Sequence, residues 1–186
     1  DDVFDELSTG KIYSRLDWKS GYHQLRMADE GVEKTAFICP FGHFEYRVAP
    51  FGLTNLPAQY SLMMNTILRQ FLGVCVVVYL DDVVIYSPDT QTHIKHIRKV
   101  FDCLRKEKVV LNQTKTTLGL RRMAYLGFVV EGGTLSIDPS KTEAIRELAS
   151  PTNVPSLRSV LGVFNYFRRF IKHYGYLIAP LSDPLC

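Results

Sequence analysis

The sequence predicts an α+β chain whose core is an antiparallel sheet with helices on one face. Three observations carry this. Apolar runs of strand length recur at residues 11–17, 74–80, 83–87 and 124–130. Two longer stretches, 57–71 and 92–108, lie between them and have the length and apolar spacing of helices. The resulting order is strand, helix, strand, strand, helix, strand, which is the split β-α-β arrangement.

Each element has a local reason. Residues 3–7 read as a short helix. Residues 11–17 read as a strand because Tyr13, Arg15 and Asp17 alternate with Ile12, Ser14 and Leu16. Residues 35–39 and 44–48 form a hairpin around Pro40-Phe41-Gly42. Pro57 suits the first turn of the helix that it opens. Residues 74–80 and 83–87 form a second hairpin whose turn carries Asp81 and Asp82. In 92–108, Ile94, Ile97, Phe101 and Leu104 share one face. Residues 124–130 and 134–137 pair across Gly132-Gly133, and Asp138-Pro139 caps and opens a helix reaching about residue 148. A last helix over 154–174 carries Leu157, Val160, Leu161, Phe164, Phe167 and Ile171 as a stripe, with Arg158, Arg168, Arg169 and Lys172 largely off it.

Composition narrows the function classes. Of 186 residues, 46% are hydrophobic, enough for a substantial core. Nothing resembles a signal peptide, and no apolar run reaches the ~18 residues of a spanning helix. Cys39, Cys75, Cys103 and Cys186 are scattered, which argues against zinc and a disulfide framework and fits a reduced intracellular compartment. Residues 1–90 hold 12 acidic and 7 basic side chains, and the remainder 7 acidic and 15 basic. An acidic half beside a basic half suits a protein that holds metal ions and tracks nucleic acid, although basic helix faces are also commonly just solvated. His93 and His96 have no companion ligands and read as surface residues. Asp29, Glu30 and Glu33 read as a charged loop.

The chemistry-bearing residues are carboxylates. Asp81 and Asp82 sit side by side in Tyr79-Leu80-Asp81-Asp82, where a hard divalent cation would relieve their repulsion. A solvated turn carries the same dipeptide. The third carboxylate is Asp17, delivered at the end of a strand in Leu16-Asp17-Trp18-Lys19-Ser20-Gly21-Tyr22-His23-Gln24, with Gly21 permitting a tight turn before the aromatic Tyr22.

These blocks, with Pro50-Phe51-Gly52-Leu53-Thr54-Asn55-Leu56-Pro57-Ala58 between them, resemble the first three palm motifs of the reverse transcriptases of gypsy-type long-terminal-repeat retrotransposons. Order and spacing match, and the similarity runs over nearly the whole chain. The resemblance implies a right-hand polymerase palm with residual fingers over 1–137 and the start of a thumb over 138–186. It implies an RNA-directed DNA polymerase that extends a DNA strand on an RNA or DNA template by two-metal nucleotidyl transfer. Its cofactor would be two Mg²⁺ ions, with Mn²⁺ able to substitute.

Carried over residue by residue, the resemblance makes Asp17, Asp81 and Asp82 the catalytic and metal carboxylates. Asp17 and Asp81 are the primary ligands, and Asp82 is the third, beside or on the metals. Tyr22 would lie under the incoming sugar and exclude a ribose 2′-hydroxyl, and the backbone of residues 18–22 would face the triphosphate. Phe51 and Gly52 would form the pocket floor. Leu56 is bulky where the family often has a small residue. Lys115 would assist the leaving pyrophosphate, or is a surface lysine. Leu126 and Gly127 would belong to the primer grip, or to an ordinary core hairpin. Implied partners are a primed template, deoxynucleoside triphosphates and the ribonuclease H, integrase and protease domains of a polyprotein, with no membrane; the implied location is cytoplasmic, in a virus-like particle. Both ends read as cut from a larger polyprotein, so the isolated segment is expected to be weak or inactive. The rival readings are a catalytically inactive or domesticated nucleic-acid-binding remnant and a polymerase of RNA. Tyr22 argues against the second.

Overall fold

The computed structural model describes residues 2–182, so Cys186 lies outside the described range. In chain order the elements are α1 (Asp2–Ser8), β1 (Ile12–Leu16), α2 (Asp29–Val32), β2 (Phe37–Cys39), β3 (Gly42–Phe44), α3 (Leu56–Ile67), β4 (Val76–Tyr79), β5 (Asp82–Ser87), α4 (Thr90–Lys106), β6 (Thr117–Leu120), β7 (Arg122–Tyr125), β8 (Phe128–Glu131), β9 (Thr134–Ile137), α5 (Pro139–Arg146), α6 (Val154–Tyr166) and α7 (Tyr174–Ser182). Single 3₁₀ turns occupy Gly21–Gln24, Glu33–Thr35 and Arg168–Phe170. The chain divides into two compact units, Asp1–Met123 with Glu131–Thr134, and Ala124–Val130 with Leu135–Cys186.

The first unit is built on a four-stranded sheet of order β4-β5-β1-β6. All of its neighbouring pairs are antiparallel. In β1 and β5, Leu16 pairs with Val83 and Ser14 with Ile85. Period-2 alternation therefore gives one face of the sheet Leu16, Val83 and Ile85. Those side chains join Val76 in a buried cluster with Tyr60 and Met64 from α3, Leu68 at its C-cap, and Val100 and Leu104 from α4. Each fully buried aliphatic side chain contributes about 1.5–3 kcal/mol, so this helix-covered face fixes the strand register. Asp89 starts α4 by accepting the Thr92 amide at 2.9 Å.

The α+β class and the split β-α-β core expected from the sequence are present, with corrections. The strand that closes the core after α4 is β6, not the run at 124–130. β6 escapes detection because it is four residues long, carries an internal glycine, and pairs with β1 through a register shift. The run at 124–130 is itself broken by a turn at Leu126 and Gly127 into β7 and β8, which join β9 in a sheet of order β7-β8-β9. The first hairpin is shorter than expected, and residues 29–35 are helical rather than a plain loop.

In the second unit the expected single helix over 154–174 is interrupted after Tyr166 and resumes as α7. His173 there has φ 57°, outside the helical range. The break lets the apolar stripe turn onto a neighbour. Phe128 meets the rings of Tyr166, Phe167 and Phe170 at 5.4, 5.4 and 5.5 Å. Asn153 and Ser156 cap α6 reciprocally.

His93 is not on the surface, as its sequence context predicts, but is 2% exposed. Its Nε2 lies 2.7 Å from Ser14 Oγ and its Nδ1 2.8 Å from Ser87 Oγ, and His96 Nδ1 is 2.8 Å from the same Ser87 hydroxyl. Gly119 N–H donates to Ser14 Oγ at 3.0 Å. Two serines on adjacent strands supply the buried imidazole with the polar partners it needs.

Candidate active site

β1 ends at Leu16 and delivers Asp17 into a held backbone. Asn112 N–H donates to the Asp17 carbonyl at 2.8 Å, and Asp17 N–H donates to Thr116 Oγ1 at 3.2 Å. Lys115 is exposed on the turn between these two anchors, which the Thr116 amide closes onto the Asn112 carbonyl. The loop after Asp17 is clamped by Gln24. Its amide donates to Lys19 O and Val110 O at 2.7 and 2.8 Å and accepts Val110 N–H at 2.8 Å. Ser20 and Gly21 both have positive φ, and the 3₁₀ turn that they enter carries Tyr22.

Asp81 is reached from the neighbouring strand, at the same end of the sheet. Tyr79 pairs with Asp82, so Leu80 and Asp81 alone make the β4–β5 turn. The Tyr22 hydroxyl and the Asp81 carboxyl act on each other electrostatically. Asp81 is exposed as a residue, yet protein crowds its carboxyl. Burial pushes that carboxyl above its usual range, the Tyr22 hydroxyl draws it back, and the Asp82 charge raises it further. Asp82 points elsewhere and pairs with Arg15 of β1.

Tyr60, on α3, completes the group. It is fully buried, and its hydroxyl has no hydrogen-bond partner. Burial raises the phenol pKa, with Asp81, Tyr22 and Asp17 each adding to the rise. Asp17 and Asp81, 64 positions apart in sequence, therefore act on one phenol. Tyr22 meets Tyr60 edge to face at 5.2 Å and Phe51 at 5.2 Å and 65°. Phe51 is 71% exposed and Gly52 has φ +104° with open space about it. Sequence reasoning assigned no role to Arg15, Tyr60 or Gln24. The signals for the first two were a basic residue two positions before Asp17 and an aromatic three after Pro57.

Leu126 and Gly127 belong to the second unit. Leu126 O accepts the Tyr166 hydroxyl at 2.7 Å, and Asp138 N–H donates to Gly127 O at 3.1 Å. φ of 49° and 77° at the two residues makes the turn tight, which glycine tolerates best at the second.

Among the described residues no three His, Cys, Asp or Glu side chains cluster as a self-sufficient metal cage. Two carboxylates beside an orphaned phenol nonetheless suit Mg²⁺. That ion takes one or two protein carboxylates and completes its shell with water and phosphate.

The chain is similar to known proteins. A family model described as reverse transcriptase (RNA-dependent DNA polymerase) matches residues 2–130. The chain is 36% identical over 183 residues to the retrovirus-related Pol polyprotein from transposon gypsy of Drosophila melanogaster, covering 98% of the chain and 18% of that polyprotein. It is 36% identical over 177 residues to that from transposon opus of the same species, covering 95% and 18%. It is 32% identical over 180 residues to the transposon Tf2-3 polyprotein of Schizosaccharomyces pombe, covering 97% and 14%. The chain thus spans less than a fifth of these curated relatives. Among solved structures, a foamy viral protease-reverse transcriptase in complex with double-stranded DNA superposes with TM-score 0.86 at 24% identity, over 98% of this chain and 32% of that one. The foamy viral enzyme in complex with RNA/DNA hybrid gives 0.77 at 24%, over 97% and 25%. At that identity the likeness establishes the palm-type fold.

Proposed function

The chain belongs to the reverse transcriptase (RNA-dependent DNA polymerase) family, and from that premise we propose that it is the palm and the start of the thumb of a gypsy-type retrotransposon polymerase. The observation that carries this reading is the pairing of Leu16 with Val83, which brings Asp17 and the Asp81–Asp82 turn to the same end of the sheet. The family generally uses divalent metal ions. Here Asp17 and Asp81 would hold two Mg²⁺ ions, with Asp82 beside them. Bound there, the ions would lower the pKa of the primer 3′-hydroxyl and neutralise charge on the triphosphate.

The remaining residues position the reactants. Tyr22, braced by Phe51 and Tyr60, presents its ring where the deoxyribose would lie and leaves no room for a 2′-hydroxyl. Phe51 and Gly52 form the floor against which the sugar and the template base would rest. Lys115, on the turn that anchors Asp17, brings a positive charge for the departing pyrophosphate. Leu126 and Gly127 offer a backbone turn for the primer terminus. Residues 1–137 take the role of palm with residual fingers. Residues 138–186 take that of the thumb's beginning, whose basic side chains would follow duplex phosphates without reading sequence.

The substrates are then a primed RNA or DNA template and deoxynucleoside triphosphates. Ribonuclease H, integrase and protease domains would share the polyprotein, which would work in a cytoplasmic particle. Among the described residues no helix is long and apolar enough to cross a membrane. The intact Asp17, Asp81 and Asp82 favour an enzyme over a binding remnant. Primer extension on an RNA template by a polyprotein polymerase carrying residues 1–186 tests this. Mg²⁺-dependent incorporation of deoxynucleotides is expected, and duplex binding without any incorporation would favour the remnant.

A further inference from the structure

Arg15 lies outside the motif residues, yet it makes a short side-chain ion pair with Asp82. Its Nε and Nη2 both donate to Asp82 Oδ1, at 3.0 and 2.6 Å. The two side chains are 44% and 27% exposed, so the pair is half-sheltered. Arg15 stands two residues before Asp17 on β1, and Asp82 follows Asp81 at the start of β5. One ion pair therefore bridges the two segments that carry the metal carboxylates.

The turn it anchors needs an anchor. Leu80 has φ 51°, a left-handed backbone unfavourable for a residue with a side chain. Its side chain is 51% exposed, so packing alone does not hold it there. Such a conformation persists only where its surroundings over-determine it. β-pairing of Tyr79 with Asp82 closes the turn, and Arg15 holds Asp82.

We propose that Arg15 is a positioning residue of the polymerase site. By gripping Asp82 it fixes the Leu80–Asp81 turn against β1, so that Asp81 stands with Asp17. The role rests on the reading of Asp17 and Asp81 as metal ligands, and it makes Asp82 a residue that acts through Asp81.

The test combines Arg15→Met, Arg15→Lys, Asp82→Asn and the double variant Arg15→Met/Asp82→Asn. Amide hydrogen exchange of the metal-free 186-residue chain should quicken about twofold to fivefold over residues 79–83 in Arg15→Met, the scale of one half-exposed pair. Lysine at this position should recover most of the protection. In the polymerase carrying the chain, Arg15→Met should lower kcat by up to about 10²-fold, as misplacement of a reacting group does, with KM for the deoxynucleotide little changed. The double variant should be no worse than the worse single one. Additive losses in the double variant, or parental exchange in Arg15→Met, would overturn the role of Arg15 while Asp81→Asn remained inactive. An active Asp81→Asn would instead remove the reading beneath it.

Discussion

Tyr22, the proposed sugar gate, and Asp81, a proposed metal ligand, act on each other electrostatically between the loop after β1 and the β4–β5 turn. Ring and hydroxyl then have separable proposed jobs, the ring to exclude a 2′-hydroxyl and the hydroxyl to face Asp81.

Replacing the ring tests the first job. Tyr22→Val in the complete polymerase should lower the ratio of kcat/KM for a deoxynucleotide to that for the matching ribonucleotide by about 10–100-fold, the range a lost pocket contact of this size allows. Tyr22→Phe keeps the ring and should leave the ratio near the parental value. An unchanged ratio in Tyr22→Val would make Tyr22 a packing residue.

Tyr60 predicts a trade between stability and activity. Its buried hydroxyl is without a hydrogen-bond partner, and an unsatisfied buried polar group costs about 1–3 kcal/mol. Tyr60→Phe should therefore raise the unfolding free energy of the metal-free chain by roughly 1 kcal/mol, while slowing nucleotide incorporation in the polymerase. Urea denaturation checks the first effect and single-turnover kinetics the second. A destabilised Tyr60→Phe would show that the hydroxyl is satisfied in solution.

His93 predicts an acid-sensitive fold. Burial holds its pKa below the ordinary 6.5, and the neighbouring His96 lowers it further. The unfolded chain then binds more protons than the folded one between the two pKa values. The stability that neutral His93 provides is complete above pH 6.5 and is lost as pH falls toward the folded pKa, by at most about 1.4 kcal/mol per pH unit. Urea midpoints at pH 7.5 and pH 5 measure the loss. His93→Gln should flatten the difference, and an equally steep fall in that variant would assign it to other groups.

The basic balance after residue 90 predicts binding to a primer–template duplex that weakens steeply with salt and shows little sequence preference. Fluorescence anisotropy across a salt series measures the slope. A flat response, or preference for one sequence, would contradict the phosphate-tracking role.

Much of this was legible in the chain. The alternation around Asp17 and the apolar runs flanking Asp81 fixed the two strands that deliver the carboxylates, because period-2 patterning and a buried face constrain register strongly. β6 was hidden by Gly119 and by its length, since its pairing comes from its neighbour rather than from its own pattern. The break after Tyr166 was hidden because an apolar stripe continues across it, and only packing of Phe167 and Phe170 on Phe128 explains the turn. Buried His93 was misread because Ser14 and Ser87, its partners, lie 79 and 6 positions away on other elements. Arg15 and Tyr60 carried only weak signals in the sequence, because their importance lies in what faces them.

The central claim is that Asp17 and Asp81 together hold the ions that support nucleotidyl transfer. The most direct measurement is single-nucleotide incorporation by Asp17→Asn and Asp81→Asn in the complete polymerase, with circular dichroism to confirm folding. Each variant should lose about 10³-fold or more in rate, as loss of a charge-stabilising group in a preorganised site does, with its spectrum unchanged. A folded variant of either kind that retained most of its activity would contradict the account.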